Sequence, residues 1–405
     1  MVSSGVQVQL AAGLASLAIL GATLAPADQW WLAELGDKVG QALGGESIVV
    51  AVIDTGIDTN HPDLASTVIG GADFSKVGTP DGTTPVGSSA HHGTMVASLI
   101  AGQGLQSGGI IGIAPGAKLL SVSVGLGVKS SDTDSQIAAA IIWSVDAGAN
   151  VINLSLSRNS SSWPISWDEA FLYAFEKDVV IIAASGNESD GDYRAAAPAT
   201  IPGVISVTGV DRALQASKIS GTSGLGVSVS APGAGLYGSY PGDQIAGWSG
   251  SSAAAPLVSG IVALMRAQDP AASANDIVFR LINTARDLGE PGFDATYGFG
   301  LVDPSEAIGS ALSATTNPLG SLSYWIDLYR ASETVGPDGP NLVTPVAPES
   351  FLGATEVQNS PESQGSQAPW YLNPLIYLLL TPVAPLLWLA VRNRRNEGQG
   401  RKIRK

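Results

Sequence analysis

Cysteine is absent from the 405 residues, histidine occurs three times and only 14% of the chain is charged. Each scarcity excludes something. Without thiols there is no disulfide framework, no thiolate metal cage and no cysteine nucleophile. With histidine only at 61, 91 and 92, and the first of these far from the other two, a zinc site built on imidazoles is a poor reading. Any imidazole base must then be one of three side chains. Acidic residues outnumber basic ones 35 to 20, a net charge of −15; setting aside residues 392–405, with seven basic and one acidic, leaves 13 against 34 and deepens it to −21. Nucleic acid is therefore not an expected partner. What is abundant is small or apolar: 49 glycines and 45% hydrophobic residues, enough for one large α/β domain of just under 300 residues.

Three short segments carry the chemistry. Asp54 stands in Ile53-Asp54-Thr55-Gly56, His92 in His91-His92-Gly93-Thr94, and Ser252 in Gly250-Ser251-Ser252-Ala253-Ala254-Ala255-Pro256. A serine hydroxyl is a poor nucleophile until an imidazole takes its proton, and the imidazole needs an acceptor on its other nitrogen to fix the tautomer and stabilise the imidazolium. The run Ser47 to Ile53 is β-branched and apolar, a buried parallel strand that leaves Asp54 at its carboxyl end, where open α/β sheets bind ligands. Ala253 to Leu264 predicts a helix, with Pro256 tolerated in its first turn and Ser252 at its positive end. A second Gly-Thr-Ser, at Gly221-Thr222-Ser223, precedes a strand-like alternation and has no helix behind it, so Ser223 is a loop residue. No Gly-x-Ser-x-Gly elbow surrounds Ser252, against a lipase or esterase of the α/β-hydrolase type.

Strand-like runs at 48–53, 119–124, 151–156, 179–184 and 204–210 alternate with helical stretches near 94–102, 134–147, 167–177 and 252–268. That alternation predicts a mainly parallel sheet covered by helices on both faces.

The order Asp, His, Ser and the wording of the three motifs resemble the subtilase family of serine endopeptidases, over about residues 45 to 310. Ile57-Asp58, His61-Pro62-Asp63-Leu64 and the closing Tyr297-Gly298-Phe299-Gly300-Leu301-Val302-Asp303 extend the likeness, while Ser251, Ala253 and Met95 depart from the usual Thr, Met and second His. The resemblance implies a three-layer subtilisin-like fold, protein or peptide substrates, an acyl-enzyme mechanism and no cofactor for catalysis. It implies that Asn187, in Ser185-Gly186-Asn187, donates to the oxyanion beside the backbone N–H of Ser252, and that Ser155, Leu156, Ser157, Ser185 and Gly186 line the substrate groove. Ser157 replaces a usual glycine and is expected to narrow that groove. No metal site is assigned with assurance: Asp63 matches a family calcium ligand, but the Gln103 to Gly109 loop lacks the usual Asn-containing pattern, so structural calcium and a plain structural aspartate stand as alternatives.

The ends carry the long apolar runs. Residues 6–24 are uncharged and lead to Ala25-Pro26-Ala27, so residues 1–27 read as a signal peptide, with an uncleaved N-terminal anchor as the alternative. Residues 28–312 are the expected peptidase domain, Trp30 to Leu35 covering part of it in place of a large propeptide. Residues 313–369, rich in Pro, Ser, Gly and Thr, read mostly as a linker, although Leu322 to Tyr329 has the apolar content to pack. Residues 370–391 lack charge and are long enough to span a bilayer; the basic tail 392–405 marks the cytoplasmic side. The expected protein is an extracytoplasmic, membrane-anchored serine endopeptidase. The alternatives are a catalytically silent peptide-binding module of the same fold and a component of a secretion or surface complex.

Overall fold

Apolar side chains alternate between two faces along successive strands, and this alternation sets the architecture. The structure is a computed structural model that describes residues 8–9, 28–40, 48–105, 108–158, 160–190 and 194–330. In chain order the elements are β1 (Val8–Gln9), α1 (Trp30–Leu35), β2 (Val49–Asp54), β3 (Val68–Asp73), α2 (His92–Ala101), β4 (Lys118–Ser123), α3 (Thr133–Asp146) and β5 (Val151–Leu154). Next come β6 (Ser157–Arg158), α4 (Ile165–Glu176), β7 (Val180–Ala184), β8 (Ile205–Val210), β9 (Val229–Pro232), β10 (Leu236–Tyr240) and β11 (Gln244–Trp248). Four helices close the described chain: α5 (Ser251–Gln268), α6 (Ala274–Asn283), α7 (Pro304–Gly309) and α8 (Leu322–Tyr329).

Seven strands form one parallel sheet in the order β3-β4-β2-β5-β7-β8-β9. Val50 and Val52 face a core shared with α2 and α5, while Ala51 and Ile53 face a second core shared with α3 and α4. Strands buried on both faces read as continuous apolar runs, which is why five of the seven were visible in the sequence. The expected three-layer α/β fold is the observed one. The two outer strands were less legible. Val68–Asp73 is Val-Ile-Gly-Gly-Ala-Asp, poor in branched residues, and β9 ends on a proline.

Helix α1 covers the domain as expected: Trp31 is fully buried in the first core, and Trp30 Nε1 donates to the carbonyl of Gly235 across 3.3 Å. At the other end, the expected linker begins later than residue 313. Helix α8 lies against α4, Trp325 meets Trp163 at 4.4 Å between ring centroids, and Arg330 pairs with Asp168 at 2.7 Å. The apolar content of Leu322 to Tyr329 outweighs the Pro/Ser/Gly context around it, so residues to 330 belong with the domain. The segments 1–7, 10–27 and 331–405, including the leader, the rest of the linker, the membrane span and the basic tail, lie outside the described residues. Among the described residues no helix is long and apolar enough to cross a membrane.

Candidate active site

Strand β2 lies in the sheet between β4 and β5, and its carboxyl end opens on the crevice where ligands bind in open α/β sheets. Asp54 is the last residue of that strand and is fully buried. Thr55 binds its neighbour to the next element: its N–H donates to Asp54 Oδ1 at 2.7 Å, and its hydroxyl accepts from the N–H of Gly93 at 3.0 Å. A side chain at Gly93 would put its Cβ 2.4 Å from the carbonyl oxygen of Gly56. Only glycine lets the start of α2 approach the end of β2 so closely, and that approach delivers His92. The imidazole Nδ1 lies 2.9 Å from both carboxylate oxygens of Asp54. A buried carboxylate facing Nδ1 fixes the tautomer with the proton on Nδ1 and leaves Nε2 as the base. Nε2 is buried and has no hydrogen-bond partner.

Helix α5 supplies the serine. Its first turn follows Gly250, whose φ of +157° favours glycine. Pro256 is the sixth residue of the helix and so lies beyond the first turn expected for it. Lacking an N–H, it leaves the carbonyl of Ser252, four residues earlier, without its helical donor. Ser155 supplies the replacement: its hydroxyl donates to that carbonyl at 3.0 Å. Asn153 Nδ2 donates to the same hydroxyl at 2.9 Å, and Ser259 Oγ donates to Asn153 Oδ1 at 2.9 Å. A buried polar chain thus holds the serine-bearing turn against the end of β5. The Ser252 hydroxyl itself donates to the carbonyl of Ser155 at 3.1 Å rather than to His92. Catalytic hydrogen bonds are often incomplete without substrate, and a rotation of χ1 redirects the proton.

Asn187 follows the end of β7. Its Oδ1 accepts from the N–H of Ser251 at 2.8 Å, and its Nδ2 donates to Asp190 at 2.9 Å, which sets the amide's orientation. Ser252 lies in the first helical turn, where N–H groups have no intrahelical acceptor. A Cβ built on Gly250 would stand 3.6 Å from Asn187 Nδ2 and 3.6 Å from Ser252 N. Both donors therefore border one small space that glycine keeps open. Ser185 and Gly186 lie beside it, with the N–H of Gly186 donating to Ser251 Oγ at 3.1 Å. Leu156 is buried in the second core, and Ser157 begins β6.

Several residues at the site gave no signal in sequence. Trp248, four residues before Ser252, meets His92 edge to face at 5.3 Å, a contact made by the β10–β11 hairpin folding over α2. Asp190 had only its spacing from Asn187 to mark it. His91 stacks on Tyr240 at 5.0 Å, and burial, followed by the proximity of His92, holds its pKa below the ordinary histidine value. His61 is buried, with Nε2 3.0 Å from the carbonyl of Gln244. Ser223 lies in a loop, as expected, and its neighbour Thr222 donates to the carbonyl of Ser185.

Asp63 does not fit a calcium ligand. It is fully buried; Oδ1 accepts from the N–H of Leu105 at 3.1 Å, and Oδ2 accepts from the N–H of Ile110 and the hydroxyl of Ser239, each at 2.8 Å. A cation would have to displace these donors. Among the described residues no cluster of three or more His, Cys, Asp or Glu side chains stands ready to hold a metal. The physical reason for the carboxylate here is the loop it ties down.

Comparison with known proteins finds relatives of this chain in sequence and in fold. The sequence pattern of the subtilase family matches residues 45–300. Fervidolysin of Fervidobacterium pennivorans is 34% identical over 310 residues, 69% of this chain and 43% of that protein. Subtilisin Savinase of Lederbergia lenta is 36% identical over 269 residues, covering 66% of this chain and 93% of that one. The crystal structure of fervidolysin, described as a keratinolytic enzyme related to subtilisin, superposes with a TM-score of 0.63 at 29% identity, over 76% of this chain and 51% of the other. The chain thus spans about half the length of fervidolysin.

Proposed function

The chain belongs to the subtilase family, a family of subtilisin-like serine proteases, and on that premise we propose that it is an endopeptidase that cleaves proteins through Asp54, His92 and Ser252. The observation that carries the reading is the buried Asp54 carboxylate, both of whose oxygens lie 2.9 Å from His92 Nδ1, at the sheet end where α5 presents Ser252.

With an extended peptide along Ser155 to Ser157, the Ser252 hydroxyl turns from the Ser155 carbonyl to His92 Nε2 and attacks the scissile carbonyl carbon. Its proton passes to Nε2, and Asp54 stabilises the resulting imidazolium. The carbonyl oxygen becomes an oxyanion facing Asn187 Nδ2 and the N–H of Ser252. Collapse breaks the C–N bond as the imidazolium gives its proton to the departing amine. Water then attacks the acyl-enzyme with His92 as base, releasing the acid and restoring Ser252. No metal or cofactor takes part in these steps.

We place the enzyme outside the cytoplasm, tethered to its membrane. Supporting this are the apolar residues 6–24 before Ala25-Pro26-Ala27, the uncharged stretch 370–391, and the seven basic residues beyond it. The peptidase test is cleavage of an unfolded protein by the full-length chain in detergent, with Ser252→Ala beside it. Cleavage by the parent alone is expected. A folded parent that binds the unfolded protein without cutting it would instead establish the peptide-binding module. Protease protection of the N- and C-terminal regions in sealed vesicles tests the placement: the tail alone should be shielded on the cytoplasmic side.

A further inference from the structure

Helix α8 lies beyond the residues 45–300 that match the family pattern, and the peptidase reading leaves it without a use. It runs along α4 toward the end of the domain that carries Ser252. Just before it, the N–H of Gly203 donates to the carbonyl of Leu319 and Asn317 Nδ2 donates to the carbonyl of Gly203, two residues short of β8 and so at the amino end of the sheet. Just after it, Arg330 donates to Asp168, in the first turn of α4, at 2.7 Å and to the carbonyl of Trp163 at 3.0 Å. Its guanidinium lies 5.3 Å from the ring centre of Trp325 and 5.8 Å from that of Trp163. Trp163 comes eight residues after Ser155, whose carbonyl accepts from the Ser252 hydroxyl. The end of α8 is thus clasped to the rim of the active-site end.

The helix is more apolar than its packing requires. At about 100° per residue, Leu322 and Ile326 fall together on the arc that meets the second core, and an arc of about 100° is enough to seat a surface helix. Here the apolar arc continues through Trp325 to Leu328 and Tyr324, about 200° in all, and leaves only Ser323 and Asp327 on the polar side. Leu328 and Tyr324 are each 40% exposed, and Tyr329, in the last turn, 59%. Ile165, which stands in the chain between the two residues that hold Arg330, is 60% exposed.

The chain that follows indicates what covers this face. Residues 331–369 separate Arg330 from the uncharged stretch 370–391. A coil-like stretch of 39 residues has an r.m.s. reach of about 35 Å, so a bilayer holding that stretch is presented to α8 at high effective concentration, and a small apolar patch suffices to dock. Tyrosine, with an apolar body and a polar tip, is suited to the boundary between headgroups and acyl chains. The net charge of −21 outside the basic tail gives no attraction to anionic lipid, so the contact is apolar. Resting on the membrane placement and the peptidase reading above, we propose that Tyr324, Leu328, Tyr329 and Ile165 form a surface that dips into the interface of uncharged lipid and turns the active-site end of the domain to the membrane. The substrates that end meets are extended protein segments close to the bilayer.

A chain without cysteine takes a label only where a thiol is introduced. Full-length chains carrying Leu328→Cys, Ile165→Cys or Ile69→Cys are labelled with a nitroxide and reconstituted into phosphatidylcholine vesicles, with flotation to establish insertion. Depth is read from collision with oxygen and with a water-soluble nickel chelate. Ile69, 56% exposed near the amino end of β3, is the reference. The labels at 328 and 165 are expected about 5 Å or more below the phosphate level and the label at 69 in water. Two labelled sites on the patch keep the test decisive should one variant not fold. Folded, floating chains whose labels at 328 and 165 are as aqueous as that at 69 overturn the inference. So does shielding that disappears as the chains are diluted with lipid, which would make a second copy of the chain the occupant. A chain that does not float refutes the tether and this inference with it. The depth readout does not depend on activity: labels in lipid on a chain whose Ser252 takes no fluorophosphonate would refute the peptidase reading and leave the docking face standing.

Discussion

Replacing Asp54 by asparagine changes one atom and removes one charge, and the local geometry fixes the consequence. The Thr55 N–H holds Oδ1 at 2.7 Å, so an asparagine at 54 keeps its oxygen there and turns its NH2 to the position of Oδ2; both positions lie 2.9 Å from His92 Nδ1, and the amide donor at the second confronts the Nδ1 proton. Two N–H groups cannot face each other across that distance. The imidazole gives up the Nδ1 proton and carries it on Nε2, where it can no longer accept from Ser252. The imidazolium that forms in the reaction also loses its carboxylate partner in a fully buried setting. A wrong tautomer in an intact site lowers kcat by about 10⁴, which is about 5 kcal/mol of barrier. The assay is kcat for a chromogenic peptide with Asp54→Asn against the parent, with circular dichroism to establish that both are folded. A folded variant within tenfold of the parent would refute the tautomer argument.

Asn187→Ala is expected to lower kcat by about 10² to 10³ with KM little changed, measured by steady-state hydrolysis, because a donor made for the oxyanion acts in the transition state. Gly250→Ala puts a methyl 3.6 Å from both proposed donors at a φ of +157°; kcat should fall about tenfold or more, and unchanged kcat in a folded variant would show that the space is not used. Helix α6 starts with a capping box in which Ser273 and Asp276 exchange hydrogen bonds. Burial alone would raise the Asp276 pKa, but hydrogen bonds from Ser273 and Ala314 and the charge of Arg280 outweigh it and hold the carboxyl below its ordinary value. A depressed carboxyl stabilises the fold above the ordinary carboxylate pKa of about 4 and loses that contribution as pH falls through the folded value. The difference in melting temperature between parent and Asp276→Asn should therefore be present at pH 6 and shrink below about pH 4.

The segments proposed to be catalytic were legible because each places its residue by local rules: Asp54 ends an apolar branched run, Ser252 opens an apolar helix behind a glycine, and only three imidazoles competed for the role of base. The features missed depend on approach between distant segments. Trp248 reaches His92 only because the β10–β11 hairpin folds over α2, and Arg158 meets Asp134 across 24 residues, from β6 to the start of α3. Ser155 serving the carbonyl freed by Pro256 spans 97 residues and has no periodicity to announce it. Asp63 shows the converse: a motif invited a metal, and the fold satisfied the carboxylate with a loop.

Ser252 as nucleophile is the claim on which the rest depends. The most direct test treats the full-length chain with a fluorophosphonate and maps the adduct by peptide mass spectrometry, with Ser252→Ala in parallel. A single adduct on the peptide carrying Ser252 is expected in the parent and none in the variant. A folded parent that takes no label, or takes it equally after Ser252→Ala, would contradict that claim.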